Sequence, residues 1–211
     1  MKKPLISLSV AVLAASFLFT SCKDETSTVE PAKTLETKTV SNLAADPTVN
    51  AGTGQPQAAT GKFTLFSFKN NAVVENKDSA SNLWDIGFRG TTIIVNGGAI
   101  RSGQGGAYVY TGLFTDLKEV PANQVFSTDE SSTALAITTG SGKGWYNYDG
   151  SNNWISPIAG KILVVRTGDG KYAKVEILSY YKDAPTTVSA TAVARYFTFR
   201  YAYQSNGSKT F

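Results

Sequence analysis

Histidine is absent from all 211 residues, and cysteine and methionine occur once each. Without histidine, the Ser-His-Asp and Cys-His arrangements of nucleophilic catalysis are excluded, and so is the commonest ligand of zinc, copper and haem iron. A single cysteine, Cys22, excludes an intrachain disulfide. Met1, the one thioether, opens a segment with the pattern of a cleaved leader. Charge is sparse too: 17% of residues are charged against 11% aromatic, a balance that favours a packed core over wholesale disorder. Of the formal charge of +4, Lys2 and Lys3 belong to the leader, which leaves +2 for the rest. No basic cluster able to track a phosphate backbone occurs, so nucleic acid is not an expected partner.

Residues 1–21 read as a targeting signal. Lys2 and Lys3 form a basic start, and Leu5 to Phe19 is apolar apart from small hydroxyl residues. That run is too short, and too soon followed by polar sequence, for a comfortable membrane span. Leu18-Phe19-Thr20-Ser21-Cys22 resembles a lipobox, in which small residues precede a cysteine that is lipidated and becomes the new N-terminus. Cys22 is therefore the expected lipidation site, and contact with the membrane is expected through that anchor only. Lys23-Asp24-Glu25 follows at once and resembles the export signal of Bacteroidetes lipoproteins. It implies an outer-membrane lipoprotein displayed at the cell surface. Residues 22–61 are rich in Thr, Ser, Ala, Pro, Asn and Gly and hold no aromatic residue. A segment of that kind buries too little apolar surface to overcome its ordering entropy, and is expected to be a disordered tether.

Residues 62–211 read as strands almost throughout, which gives a single antiparallel all-β domain. Phe63 to Phe68, Trp84 to Phe88, Thr91 to Val95 and Ala107 to Tyr110 combine aromatic and β-branched residues of high strand propensity. Lys161 to Thr167 and Lys171 to Lys182 flank Gly168-Asp169-Gly170, a hairpin pattern. In the second of these, Ala173, Val175 and Ile177 share one face while Lys174 and Glu176 share the other. Arg195 to Tyr203 alternates likewise, with Phe197, Phe199, Tyr201 and Tyr203 on one side. No window carries a helical period with caps at both ends.

The remaining chemistry is mostly excluded. Gly140 to Gly144 lacks the spacing and the final Ser or Thr of a phosphate-binding loop. The glycines of Asn96-Gly97-Gly98 and Gly103 to Gly106 fail the dinucleotide spacing, and read instead as turns or close backbone packing. Asp85, Asp116, Asp129, Asp149 and Asp169 are scattered singly, so no acid/base pair is identified. A binding protein is expected, not an enzyme.

Trp84-Asp85-Ile86-Gly87-Phe88, followed by Asn96-Gly97-Gly98 and Gly103-Gln104-Gly105-Gly106-Ala107, resembles the core of the HmuY family of Bacteroidetes haem-binding lipoproteins. Val164 to Tyr181 is similar to that family's most recognisable block, and Phe197 to Gln204 to its C-terminal strand. The resemblance runs from about Gly61 to Phe211. It implies an all-β carrier that captures haem outside the cell and hands it to an outer-membrane TonB-dependent receptor, for iron acquisition. Family members hold haem iron through two histidines or two methionines, and the corresponding stretch here, Val120 to Pro157, has neither. No metal ligand therefore transfers to this chain. Asn153 falls near one ligand position. Tyr146 and Tyr148 are conceivable phenolate substitutes, or strand aromatics that pack on a sheet. With Trp145 and Trp154 they crowd a short stretch beside Gly150 to Asn153, suited to gripping a porphyrin or another planar ligand. Two functions stay open: a haem or porphyrin carrier with non-standard or no axial ligation, and a surface module for a peptide, glycan or partner protein that has lost haem binding.

Overall fold

The computed structural model describes residues 35–47, 49–50, 56–57 and 59–211. The leader, Cys22 and Lys23-Asp24-Glu25 lie outside these residues. Among the described residues no helix is long and apolar enough to cross a membrane.

The chain is all-β. Its strands are β1 (Thr37–Ala44), β2 (Val49–Asn50), β3 (Pro56–Gln57), β4 (Thr64–Ser67), β5 (Ala72–Val74), β6 (Ile86–Arg89), β7 (Thr92–Val95), β8 (Gly106–Thr111), β9 (Tyr146–Asp149), β10 (Trp154–Pro157), β11 (Lys161–Arg166), β12 (Tyr172–Tyr181) and β13 (Ala194–Gln204). One 3-10 turn, Asn76–Asp78, is the only helical element among the described residues. A five-stranded sheet has the order β1-β13-β12-β11-β8, and a four-stranded sheet the order β5-β4-β6-β7. All pairings are antiparallel.

Strand alternation decides what lies between the sheets. Phe66, Ile86, Phe88, Ile93 and Val95 of the smaller sheet share one buried cluster with Leu163, Val165, Ala173, Val175, Phe197, Phe199 and Tyr201 of the larger. The rings interlock across the gap. Phe66 meets Phe199 edge-on at 5.5 Å, and Phe88 stacks on Phe199 at 5.4 Å. Such pairs add about 0.5–1.5 kcal/mol each to their area burial. The outer faces carry smaller clusters, with Leu65, Trp84 and Ile94 on the four-stranded sheet and Phe114, Leu117, Val120, Ile162, Val164 and Ala202 on the five-stranded one.

Two expectations from the sequence fail. The tether does not extend to residue 61, because β1 is an edge strand of the larger sheet, in register from Thr37 opposite Ala202 to Ala44 opposite Tyr196. Leu43 and Ala45 are buried in the shared core, and Asp46 receives the backbone N–H groups of Thr60 and Gly61 at 2.7 and 2.8 Å. An edge strand gains much of its stability from backbone pairing, which composition does not reveal. The second concerns Lys174, on the face of β12 that the alternation of a half-buried strand would leave to solvent. It is covered by the segment after β8 and by Phe211, and only 6% of it is exposed.

Three buried polar side chains tie the loops at one end of the molecule. Asp85 accepts the Phe68 N–H at 2.8 Å from the β4–β5 connection and the Gly168 N–H at 3.1 Å from the β11–β12 turn. Asn96, fully buried, donates its carboxamide to the Ser81 and Trp84 carbonyls at 2.9 and 2.8 Å and accepts the Gly103 N–H at 3.1 Å. Asp129 accepts the Val95 and Ala136 N–H groups at 3.1 and 2.9 Å, with the Arg101 Nε 3.6 Å from its carboxylate. The glycines make these approaches possible. A Cβ on Gly97 would lie 1.9 Å from the Gly105 carbonyl oxygen, and one on Gly98 (φ +103°) would lie 2.4 Å from that of Asp129. Close backbone packing is what these glycines serve.

Two measurements follow. A chain beginning at Lys62 is expected to melt well below one beginning at residue 35, because it loses β1. Leu43→Ala alone should cost about 2–4 kcal/mol, in line with large-to-small core substitutions. Equal melting temperatures would mean that β1 contributes nothing. Burial outweighs the two hydrogen bonds on Asp85 and pushes its carboxyl up to about 6, from 3.8. The folded state thus prefers this group protonated, a contribution present below pH 4 and lost as pH rises through 6. Stability should fall by roughly 3 kcal/mol across that window. In Asp85→Asn that part of the decline should vanish, and parallel urea-unfolding profiles for the two proteins from pH 4 to 7 would contradict it.

Candidate ligand-binding site

The residues singled out between Val120 and Pro157 converge on one element, the β9–β10 hairpin. Trp154 pairs with Asp149, Ile155 with Tyr148, Ser156 with Asn147 and Pro157 with Tyr146. Gly150 to Asn153 form its turn, and Asn153 adopts φ 58°, a conformation that asparagine tolerates better than most residues. Asp149 organises the turn by accepting the Ser151 N–H at 2.9 Å, the Ser151 hydroxyl at 2.6 Å and the Asn152 carboxamide at 2.9 Å. These bonds hold its carboxyl below the usual range.

The base of the hairpin is fixed to both sheets. Trp145, 2% exposed, donates its Nε1–H to the Thr91 carbonyl at 3.0 Å and packs on Tyr146, Tyr180 and Phe197. The Ile155 N–H donates to the Tyr181 hydroxyl at 3.0 Å. Burial pushes the neighbouring Tyr180 phenol up to about 12. These rings belong to the core, and the Tyr180 phenol stays neutral at physiological pH.

The candidate residues are not equivalent. Tyr146 lies in the core cluster, where its ring serves packing. Tyr148 stands two residues further along the same strand face, nearer the turn, and is 47% exposed. Its hydroxyl donates to the Asn153 side-chain oxygen, and its N–H to the Ser141 hydroxyl at 2.8 Å. Tyr148 and Asn153 are therefore brought together at the open end, while Tyr146 is withdrawn from it. Trp154 is half-buried.

Among the described residues, no group of three or more His, Cys, Asp or Glu side chains is placed to hold a metal ion. A two-ligand haem site does not fit this hairpin. It carries no histidine or methionine, and its two exposed candidate ligands, Tyr148 and Asn153, are bonded to each other; a carboxamide is, moreover, a poor ligand for ferric iron. What the hairpin does offer is an exposed aromatic edge with a polar tip, set on a rigid base.

The HmuY protein family model matches residues 59–201. The chain belongs to the HmuY family. Its HmuY match starts behind β1 and takes in the buried polar cluster, the hairpin and most of β13. Similar solved structures include an HmuY-like protein from Bacteroides vulgatus, with 19% identity and a TM-score of 0.49 over 82% of this chain and 94% of that one. An apo HmuY analog from Tannerella forsythia has 15% identity and a TM-score of 0.37 over 81% of this chain and 95% of that one. No curated protein matches the sequence at a significant level.

Sequence reasoning found the hairpin's composition but not its strand pairing. It missed Trp145 and Tyr181 as anchors. The register that reveals them depends on pairing across the turn, which no local pattern carries.

Proposed function

We propose that this chain is a cell-surface binding lipoprotein of the HmuY type, without enzymatic chemistry. A lipid on Cys22 anchors it to the outer membrane, and the domain carries haem or a related porphyrin on the open end of the β9–β10 hairpin. Family membership supports the ligand class. The observation that carries the mode of binding is the pairing of Tyr148 with Asn153 on an exposed aromatic edge, where HmuY proteins with paired axial ligands need two strong donors. Haem supplies an extended planar apolar surface, and Tyr148 supplies a ring face for it with one phenol oxygen beside it. Binding therefore leaves at least one face of the iron open. A TonB-dependent receptor in the outer membrane is the partner that this role requires.

Ferric haem titrated into the full chain is expected to give a saturable change in the Soret region with a high-spin spectrum. Added imidazole should then bind the iron and convert it to low spin. Tyr148→Phe, which keeps the ring and removes the phenol, should weaken binding about tenfold if the oxygen ligates; Tyr146→Phe should leave it unchanged. A low-spin, two-ligand spectrum in the wild-type monomer without imidazole would contradict this mode. A flat titration at micromolar haem would favour a surface module for a peptide, glycan or partner protein.

A further inference from the structure

On the outer face of the five-stranded sheet, away from the hairpin residues, lies a cleft of about 260 Å³ between β12, β13, the start of β1 and the segment after β8. Its composition is unusual for a surface groove. Three cations, Lys118, Lys174 and Arg200, share it with the rings of Phe114 and Phe211. The pairing of β12 with β13 sets Lys174 opposite Ala202 and Glu176 opposite Arg200. Alternation then turns Lys174, Glu176 and Arg200 outward together.

Lys174 is the centre of the cleft, and it is buried. Its ammonium donates to the Phe114 and Leu117 carbonyls at 2.9 and 2.8 Å. An ammonium has three protons, and among the described residues the third has no acceptor. The ammonium lies 4.6 Å from the Phe114 ring centroid and 5.3 Å from that of Phe211. Arg200 sits over Phe114 as well, at 4.7 Å. Ring faces and carbonyl dipoles ease the burial of a cation but bring no counter-charge.

The charge balance is one-sided. Glu176 is bound to Arg200 at 2.6 Å, and among the described residues no carboxylate lies within ion-pair distance of Lys174 or Lys118. Burial lowers the Lys174 pKa, and the like charges of Lys118 and Arg200 lower it further. A covered cation beside two more cations is an arrangement that an incoming anion relieves. The aromatic lining adds a second requirement, an apolar body attached to that anion.

We propose that this cleft binds a small organic anion, an aromatic carboxylate, with its carboxylate between Lys174 and Lys118 and its ring against Phe114 and Phe211. The volume lies just below that of pockets for drug-sized ligands, which limits the body to about one ring. Arg200, already held by Glu176, frames the site. The site is separate from the hairpin proposed for porphyrin: none of Tyr146, Tyr148 and Asn153 lines it.

The test is calorimetric titration of the full chain with benzoate, with benzyl alcohol as the neutral ring of similar shape and inorganic phosphate as the anion without a ring. Benzoate is expected to bind saturably, at least tenfold more tightly than either comparison ligand, and to weaken with added salt. Lys118 is exposed, so Lys118→Met should leave the melting temperature unchanged and weaken benzoate about tenfold. Lys174→Met should abolish binding; where that variant fails to fold, Lys118→Met alone decides. Equal binding of benzyl alcohol would overturn the proposal, because the charges would then be idle. Equal binding of phosphate would overturn the aromatic part. No saturable heat with benzoate at millimolar concentration, or unchanged affinity in Lys118→Met, would overturn it altogether.

Discussion

The loops at one end of the fold are held by one buried side chain, the carboxamide of Asn96. It closes the Ser81 and Trp84 carbonyls on one side and the Gly103 N–H on the other, while its backbone oxygen accepts the Gly105 N–H at 2.7 Å. Each of these groups, left buried without a partner, would cost about 1–3 kcal/mol. Asp85 and Asp129 extend the same network to the β4–β5 and β11–β12 connections and to the segment around Ala136. The aromatic core between the sheets supplies most of the stability, but it is non-directional. The polar network decides which loops meet at that end, and the tight glycine contacts leave little alternative.

This arrangement bears on function through rigidity. The hairpin could not present Tyr148 and Asn153 at a fixed position if its base moved. Trp145 ties that base to Thr91, at the turn between β6 and β7, and to Phe197 of the larger sheet. Each of the two candidate binding regions therefore rests on a packed face of the same scaffold. The hairpin projects from the inner core, and the cationic cleft occupies the outer face of β12 and β13.

Much of this was legible in the sequence. Strands β4, β6, β7, β8, β11, β12 and β13 follow from alternation and β-propensity, because their side chains face a core on at least one side. Strand β1 was not legible: Thr-Lys-Thr-Val-Ser-Asn-Leu-Ala is polar, and a register shift between Val40 and Leu43, with Asn42 at φ 57°, breaks its period of two. Asp85 read as a solitary acid near a turn, since nothing local shows that Phe68 and Gly168 will bring their N–H groups to it. At the candidate site, residue types were visible and depth was not. Tyr146 and Tyr148 share a strand face, and only the projection of the hairpin beyond the sheet buries one and exposes the other. The cationic cleft was hidden for the same reason, because the cover over Lys174 comes from residues some sixty positions before it and from the C-terminus.

Residue-resolved amide hydrogen exchange in Asn96→Ala tests most directly whether this polar network acts as a unit. The expected result is faster exchange at Gly103 and Gly105 and also at Phe68 and Gly168, which donate to Asp85 and not to Asn96, with the β12 amides still protected. Acceleration confined to Gly103, the one amide whose side-chain acceptor is removed, would show that the bonds act independently and would contradict it.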